Sequence, residues 1–105
     1  MSTYTTFGHI PVGTAFLFGW NQIPLFKLDE TAAVQLDQLQ VPTIYATLIS
    51  NIPETMECWI DARSDELAQV SVELLRQGRV SERSPCPDDI IGQLLQLLQT
   101  NGLQK

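Results

Sequence analysis

The 105 residues suffice for one domain, 1–105, whose core needs no metal or disulfide staple. The formal net charge is −6, and residues 1–62 hold one basic side chain, Lys27, against six acidic ones, which excludes the clustered Lys and Arg of a nucleic-acid or anionic-membrane binder. Charged residues make up 17% against the usual ~25%, so polarity rests on Gln, Thr and Ser, whose surface is cheaper to desolvate against a protein partner.

Residues 1–6 form a polar lead-in, expected to fray or to lie along a sheet edge. Phe7-Gly8-His9-Ile10-Pro11 is a connector whose Phe7 and Ile10 should cover the bottom of the sheet. Two apolar runs follow, Thr14–Phe18 and Ile23–Leu28, joined across Gly19-Trp20-Asn21, and their composition and boundaries predict a hairpin. Pro24 lacks an amide donor, so it should demote the second run to an edge strand or mark a bulge. Asp29–Leu39 supports two readings. Ala32, Ala33, Leu36 and Leu39 fall at helical spacing behind Asp29 as N-cap, while Ala33–Leu36 alternates as a strand after a turn at Asp29-Glu30.

Thr43–Ser50 is β-branched, aromatic and bounded by prolines, hence a strand. Met56–Asp61 alternates strictly, with Met56, Cys58 and Ile60 facing the core and Trp59 on the more polar side. The period then changes. Ser64 or Asp65 caps a helix whose stripe is Leu67, Val70, Leu74 and Leu75, stopped by Gly78 as a left-handed C′ residue. Residues 78–84 read as a polar loop. Pro85-Cys86-Pro87-Asp88-Asp89 opens a second helix that runs through Leu98 to Asn101-Gly102.

The expected fold is therefore α+β: an antiparallel sheet of about four to five strands from the β-rich part (7–61), with the two helices of 64–101 packed on one face. No run approaches a membrane span, and the apolar residues after Phe7 lack a basic leader and are broken by Pro11 and Gly13, unlike a signal peptide. The expectation is a cytoplasmic protein with reduced thiols.

Site chemistry is sparse in the residues. His9 has no partner at a telling spacing and reads as a surface or capping histidine. His9, Cys58 and Cys86 match no zinc spacing, so Cys58 reads as a small buried hydrophobe and Cys86 as a helix-start thiol. The helix dipole would lower the Cys86 pKa, and Asp88 and Asp89 would oppose it. Asp29-Glu30 and Asp88-Asp89 are capping pairs, and the glycines form no phosphate cradle. No cofactor, metal or catalytic residue is expected.

Two features point to a partner. Trp20 sits at the hairpin tip, either folded back over the sheet or exposed as an anchor. In the last helix the apolar positions span ~160° of the wheel, wider than one core face needs. Ile90, Leu94, Leu97 and Leu98 should face the core, leaving Ile91, Leu95 and Gln99 as a candidate edge for self-association or for a protein partner.

The pattern FGHIPVGTAFLFG…FKLDETAA resembles a recurring, poorly characterised β-module of small bacterial, especially cyanobacterial, and phage proteins. Val12, Gly13, Phe16, Phe18, Lys27, Asp29, Thr31 and Ala33 stand at comparable places. The resemblance covers about 30 residues and brings no function with it. It implies a small twisted β unit and so favours a strand for Ala33–Leu36. The sequence reads as an interaction, accessory or regulatory protein. The alternative is a small-molecule or cofactor-binding domain with a pocket between sheet and helices, lined by Phe16, Phe18, Tyr45 and Trp59.

Overall fold

The alternating and β-branched stretches form six strands: β1 (Thr3–Thr6), β2 (Ala15–Phe18), β3 (Leu25–Lys27), β4 (Ala33–Asp37), β5 (Tyr45–Ile49) and β6 (Glu57–Ile60). A 3-10 turn at Phe7–His9 separates β1 from β2, and two helices, α1 (Ser64–Arg76) and α2 (Asp88–Leu103), follow the strands. The computed structural model describes residues 3–18, 23–37 and 43–103. The strands make one antiparallel sheet in the order β1-β6-β2-β3-β4-β5. The α+β class is as expected, but the sheet has six strands rather than four or five. The extra one is the polar lead-in: Thr3–Thr6 pairs with Ile60–Glu57, so β1 lies on an edge.

Residues 33–37 are a strand. Asp29 does not cap a helix: its Oδ1 accepts the Thr31 N–H at 2.9 Å, closing a side-chain turn, while the Leu28 N–H bonds the Ala32 carbonyl. This hairpin sets Phe26 opposite Val34. The expectation for Pro24 is overturned, because β3 lies inside the sheet between β2 and β4. Pro24 stands one residue before the strand, where its missing donor costs the ladder nothing, and its carbonyl accepts the Leu36 N–H.

Both faces of the sheet are apolar. Ala15, Phe26, Val34, Leu36 and Ala46 form one core with Leu75 of α1 and Leu94 and Leu98 of α2. On the opposite face Phe16, Leu25, Ala33 and Cys58 pack with Phe7, Ile10 and Ile52, and among the described residues none of α1 or α2 joins them. That second face is covered by the 3-10 turn and by the connection from β5 to β6, which crosses under the sheet. Asn51, at φ 60°, turns the chain into this crossing, and the Ile52 N–H ties it to the Thr31 carbonyl. Phe7 N–H and Gly8 N–H bond Met56 O and Glu54 O, and a Cβ at Gly8 would stand 2.9 Å from Glu54 Cβ, so the approach requires glycine. Lys27 is buried, its Nζ donating to the Phe7 carbonyl at 2.9 Å and lying 4.6 Å from the Phe7 ring centroid.

In α1 the buried line differs from the expected stripe. Val70 is 45% exposed, while Ser71 is fully buried and Leu75 nearly so. On a 100° wheel Ser64, Leu67, Ala68, Ser71 and Leu75 surround one direction, and Val70 lies about a third of a turn from it, beyond Leu67. A small residue sits near the centre of this buried line. Neither Ser64 nor Asp65 is the N-cap, which is Arg63 without a side-chain bond. Instead the Ser64 hydroxyl accepts the Ala15 N–H at 2.9 Å and fixes the helix start to β2. Gly78 does end α1 in the left-handed region, at φ 71°. The Gly78 N–H bonds Leu75 O and the Arg79 N–H bonds Leu74 O, the paired bonds of a Schellman motif.

The α1 entry depends on Asp61, which is 4% exposed. Its Oδ1 accepts the Arg63 N–H at 2.8 Å and its Oδ2 meets the Arg63 guanidinium at 3.2 Å. Burial pushes the Asp61 carboxyl upward, but the side-chain, backbone and charge contributions of Arg63 together hold it below its ordinary value.

Two outcomes follow from these contacts. The Ser71 Oγ is buried without a hydrogen-bond partner among the described residues. Ser71→Ala should therefore raise unfolding free energy in urea by about 1 kcal/mol, whereas a loss would mean that the hydroxyl is satisfied by water. Because the folded pKa of Asp61 is lowered, its contribution is complete above the unfolded value near 3.9 and is lost as pH falls through the folded value. Asp61→Asn should cost about 1–2 kcal/mol at pH 7, and the gap to wild type should close as pH falls through the folded value. A pH-independent gap would place the effect in packing rather than charge.

Candidate functional site

A sheet of this kind has two edges, and the chain treats them differently. Beyond β5 runs the segment 79–86, which the sequence presents as a polar loop. The Ile44 N–H bonds Arg79 O, the Ser81 N–H bonds Ile44 O, and Ile44 and Val80 form a parallel bridge. Further along, the Ala46 N–H donates to Ser84 Oγ at 3.0 Å and the Cys86 N–H to Ala46 O at 3.3 Å. The loop thus bonds the outward N–H and C=O groups of Ile44 and Ala46 and covers that part of the edge.

At the other edge no strand lies beyond β1 among the described residues. The TYTT segment carries no charge and no proline, the two usual blocks to edge pairing. Tyr4 is 56% exposed and its ring meets the half-buried Trp59 edge-to-face, with centroids 5.4 Å apart and planes at 65°. Strand alternation places Tyr4, Trp59 and Leu17 on the helix-side face, yet none of the three belongs to the core under the helices. They form a platform beside it. The Tyr4 hydroxyl donates to Glu57 Oε1 at 2.6 Å. That bond, then burial and the Glu57 charge, push the Tyr4 pKa up.

The residues singled out from sequence fall elsewhere. Trp20 lies outside the described residues. Ile91 and Leu95 are half-buried and pack against the helix-side core, and Gln99 is half-buried. Leu94 and Leu98 are buried as expected, but Leu97 is only half-buried and does not join that core. Since α2 packs against both the sheet and α1, its buried arc is turned towards Ile91 and Leu95 and away from Leu97. The four aromatics of the alternative reading do not converge. Phe16 and Phe18 pack on the second face, Trp59 points to the opposite side, and Tyr45 is 40% exposed on β5. They line no common pocket because neighbouring positions on a strand alternate between faces.

The remaining groups are accounted for locally. His9 is exposed, its Nδ1 2.7 Å from Thr6 Oγ1, so of the two roles expected from sequence it takes the surface one. Both cysteines are free and buried. For Cys86 burial, followed by the Asp88 charge, raises the thiol pKa, so the helix dipole does not produce the lowering expected from sequence. Burial raises Cys58 as well, with Lys27 opposing. An open polar cavity of about 290 Å³ lies between Ser81, Glu82, Ser84 and Asp88. Among the described residues no three His, Cys, Asp or Glu side chains stand close enough to hold a metal ion, and no helix is long and apolar enough to cross a membrane.

The signal for the β1 platform was present in the β-prone lead-in and in Trp59 on the polar side of its strand. What sequence could not supply was the pairing of residues 3–6 with 57–60. No protein-family model, curated protein or solved structure matches the chain.

Proposed function

We propose that the protein is an interaction module, an accessory or regulatory subunit that docks a protein partner along the open edge of β1. The observation that carries this reading is the contrast between the two sheet edges. One is covered along Ile44–Ala46 by the chain's own serine and backbone, and the other ends in an uncharged strand beside exposed Tyr4 packed on half-buried Trp59. An unpaired edge offers a row of N–H and C=O groups to an incoming strand, and a rigid aromatic beside it supplies contact area at low entropic cost. The inward packing of Ile91 and Leu95 leaves less apolar surface at the α2 edge for the same purpose.

The test compares the two surfaces on the intact protein. Tyr4→Glu places a charge on the edge at a site already 56% exposed, so melting should stay within the few degrees that ~1 kcal/mol allows. Partners co-purifying with the tagged wild type from its native cells should be lost with Tyr4→Glu. They should persist with Gln99→Glu, which charges the α2 edge without touching a core leucine. The reverse pattern would move the binding surface to α2 and overturn the assignment to β1.

A further inference from the structure

Resting on the reading of β1 as a docking edge, we infer that its occupant is an extended basic segment, a strand with a Lys or Arg side chain seated on Tyr4 and Trp59 against Glu57. The chemistry of the platform selects the charge. A strand added beside β1 continues the sheet's alternation, so every second side chain falls on the face that carries Tyr4 and Trp59. The two rings stand at 65°, and each ring face is the negative end of its quadrupole. Glu57 accepts the Tyr4 hydroxyl on Oε1 and is exposed, and a carboxylate has further acceptor positions for an ammonium or guanidinium. An incoming cation gains from the carboxylate and from an open ring face, whereas an incoming carboxylate is repelled by Glu57.

The exposed charge of the sheet part of the chain has the same sign, with Glu57 the carboxylate at the platform itself. Asp29, Glu30, Glu54 and Glu57 are exposed, while Lys27, the one basic residue of the first 62, is 5% exposed. Arg63, the next cation along the chain, is held by buried Asp61. The net charge of the sheet part therefore favours the approach of a basic segment over an acidic one. A second copy of this chain is disfavoured, because pairing β1 with itself brings two acidic surfaces together.

Labelled peptides of about seven residues test the proposal, with Thr and Val alternating with Lys in one, with Glu in a second and with Ser in a third. Binding to the whole protein is read by fluorescence polarisation, and edge pairing by slowed amide exchange at Thr3–Thr6 on binding. The Lys peptide should bind with protection of those amides, weaken as salt is raised, and lose about threefold to tenfold in affinity with Glu57→Gln or with Tyr4→Ala. The Glu peptide should not bind. Equal binding of the Ser peptide, protected at β1 and insensitive to Glu57→Gln, would keep the docking edge and remove the basic occupant. Lys-peptide binding that leaves Thr3–Thr6 unprotected and survives Tyr4→Ala would remove both. So would the absence of any peptide binding in a chain that sediments as a monomer, and a dimer broken by Tyr4→Glu would assign the edge to a second copy.

Discussion

An antiparallel sheet that is apolar on both faces has to be covered twice, and this chain has helices for only one side. The rest of the structure answers to that constraint. Leu25, Phe26 and Lys27 of β3 are all buried, so the central strand meets solvent on neither face. The second cover is made from connections: the 3-10 turn with Phe7 and Ile10, and the β5–β6 crossing with Ile52. Irregular backbone cannot satisfy itself as a helix does, which explains why these segments are bonded to each other and to the sheet. Lys27 belongs to the same solution. Its stem packs within the sheet and its ammonium ends on the Phe7 carbonyl and ring, holding the turn down.

The helices are attached by a repeated device. Ala15 and Ala46 lie on the helix-side face, and each is bonded through both backbone groups to the segment leading into a helix. Ala15 gives its N–H to Ser64 Oγ and takes the Asp61 N–H; Ala46 gives its N–H to Ser84 Oγ and takes the Cys86 N–H. Alanine leaves room for these approaches, and a serine acceptor serves where the incoming backbone no longer runs as a strand. At α1 the device has a consequence for capping: the Ser64 hydroxyl is engaged with β2, and Asp61 organises the turn before the helix instead.

The same economy explains why the two edges differ. Segment 79–86 must leave the Schellman turn at Gly78 and reach the start of α2, and its path lies along β5. Covering that part of the edge is a by-product of placing α2. No segment described here has a reason to pass β1, whose inner side pairs with the last strand of the sheet. The open edge thus coincides with the part of the helix-side face that the helices do not reach, and Tyr4 and Trp59 occupy it.

Strand alternation, turn residues and helix stops are local properties, and these the sequence determined by itself: the hairpin of the two apolar runs, the alternation of Met56, Cys58 and Ile60, the glycine stop at Gly78, and the α+β class. Burial of Phe7 and Ile10 beneath the sheet was legible too, because a connector with two large apolar residues has nowhere else to put them. Tertiary structure alone decided which strands are neighbours. It set β3 inside the sheet despite Pro24, carried the polar lead-in to β6, and turned α1 so that Ser71 rather than Val70 lies inward. It also chose which serines cap and which tether, and separated Phe16 and Phe18 from Trp59 onto opposite faces. Those outcomes depend on partners some fifty residues away along the chain, as between β1 and β6, and no local period or propensity encodes the identity of a distant partner.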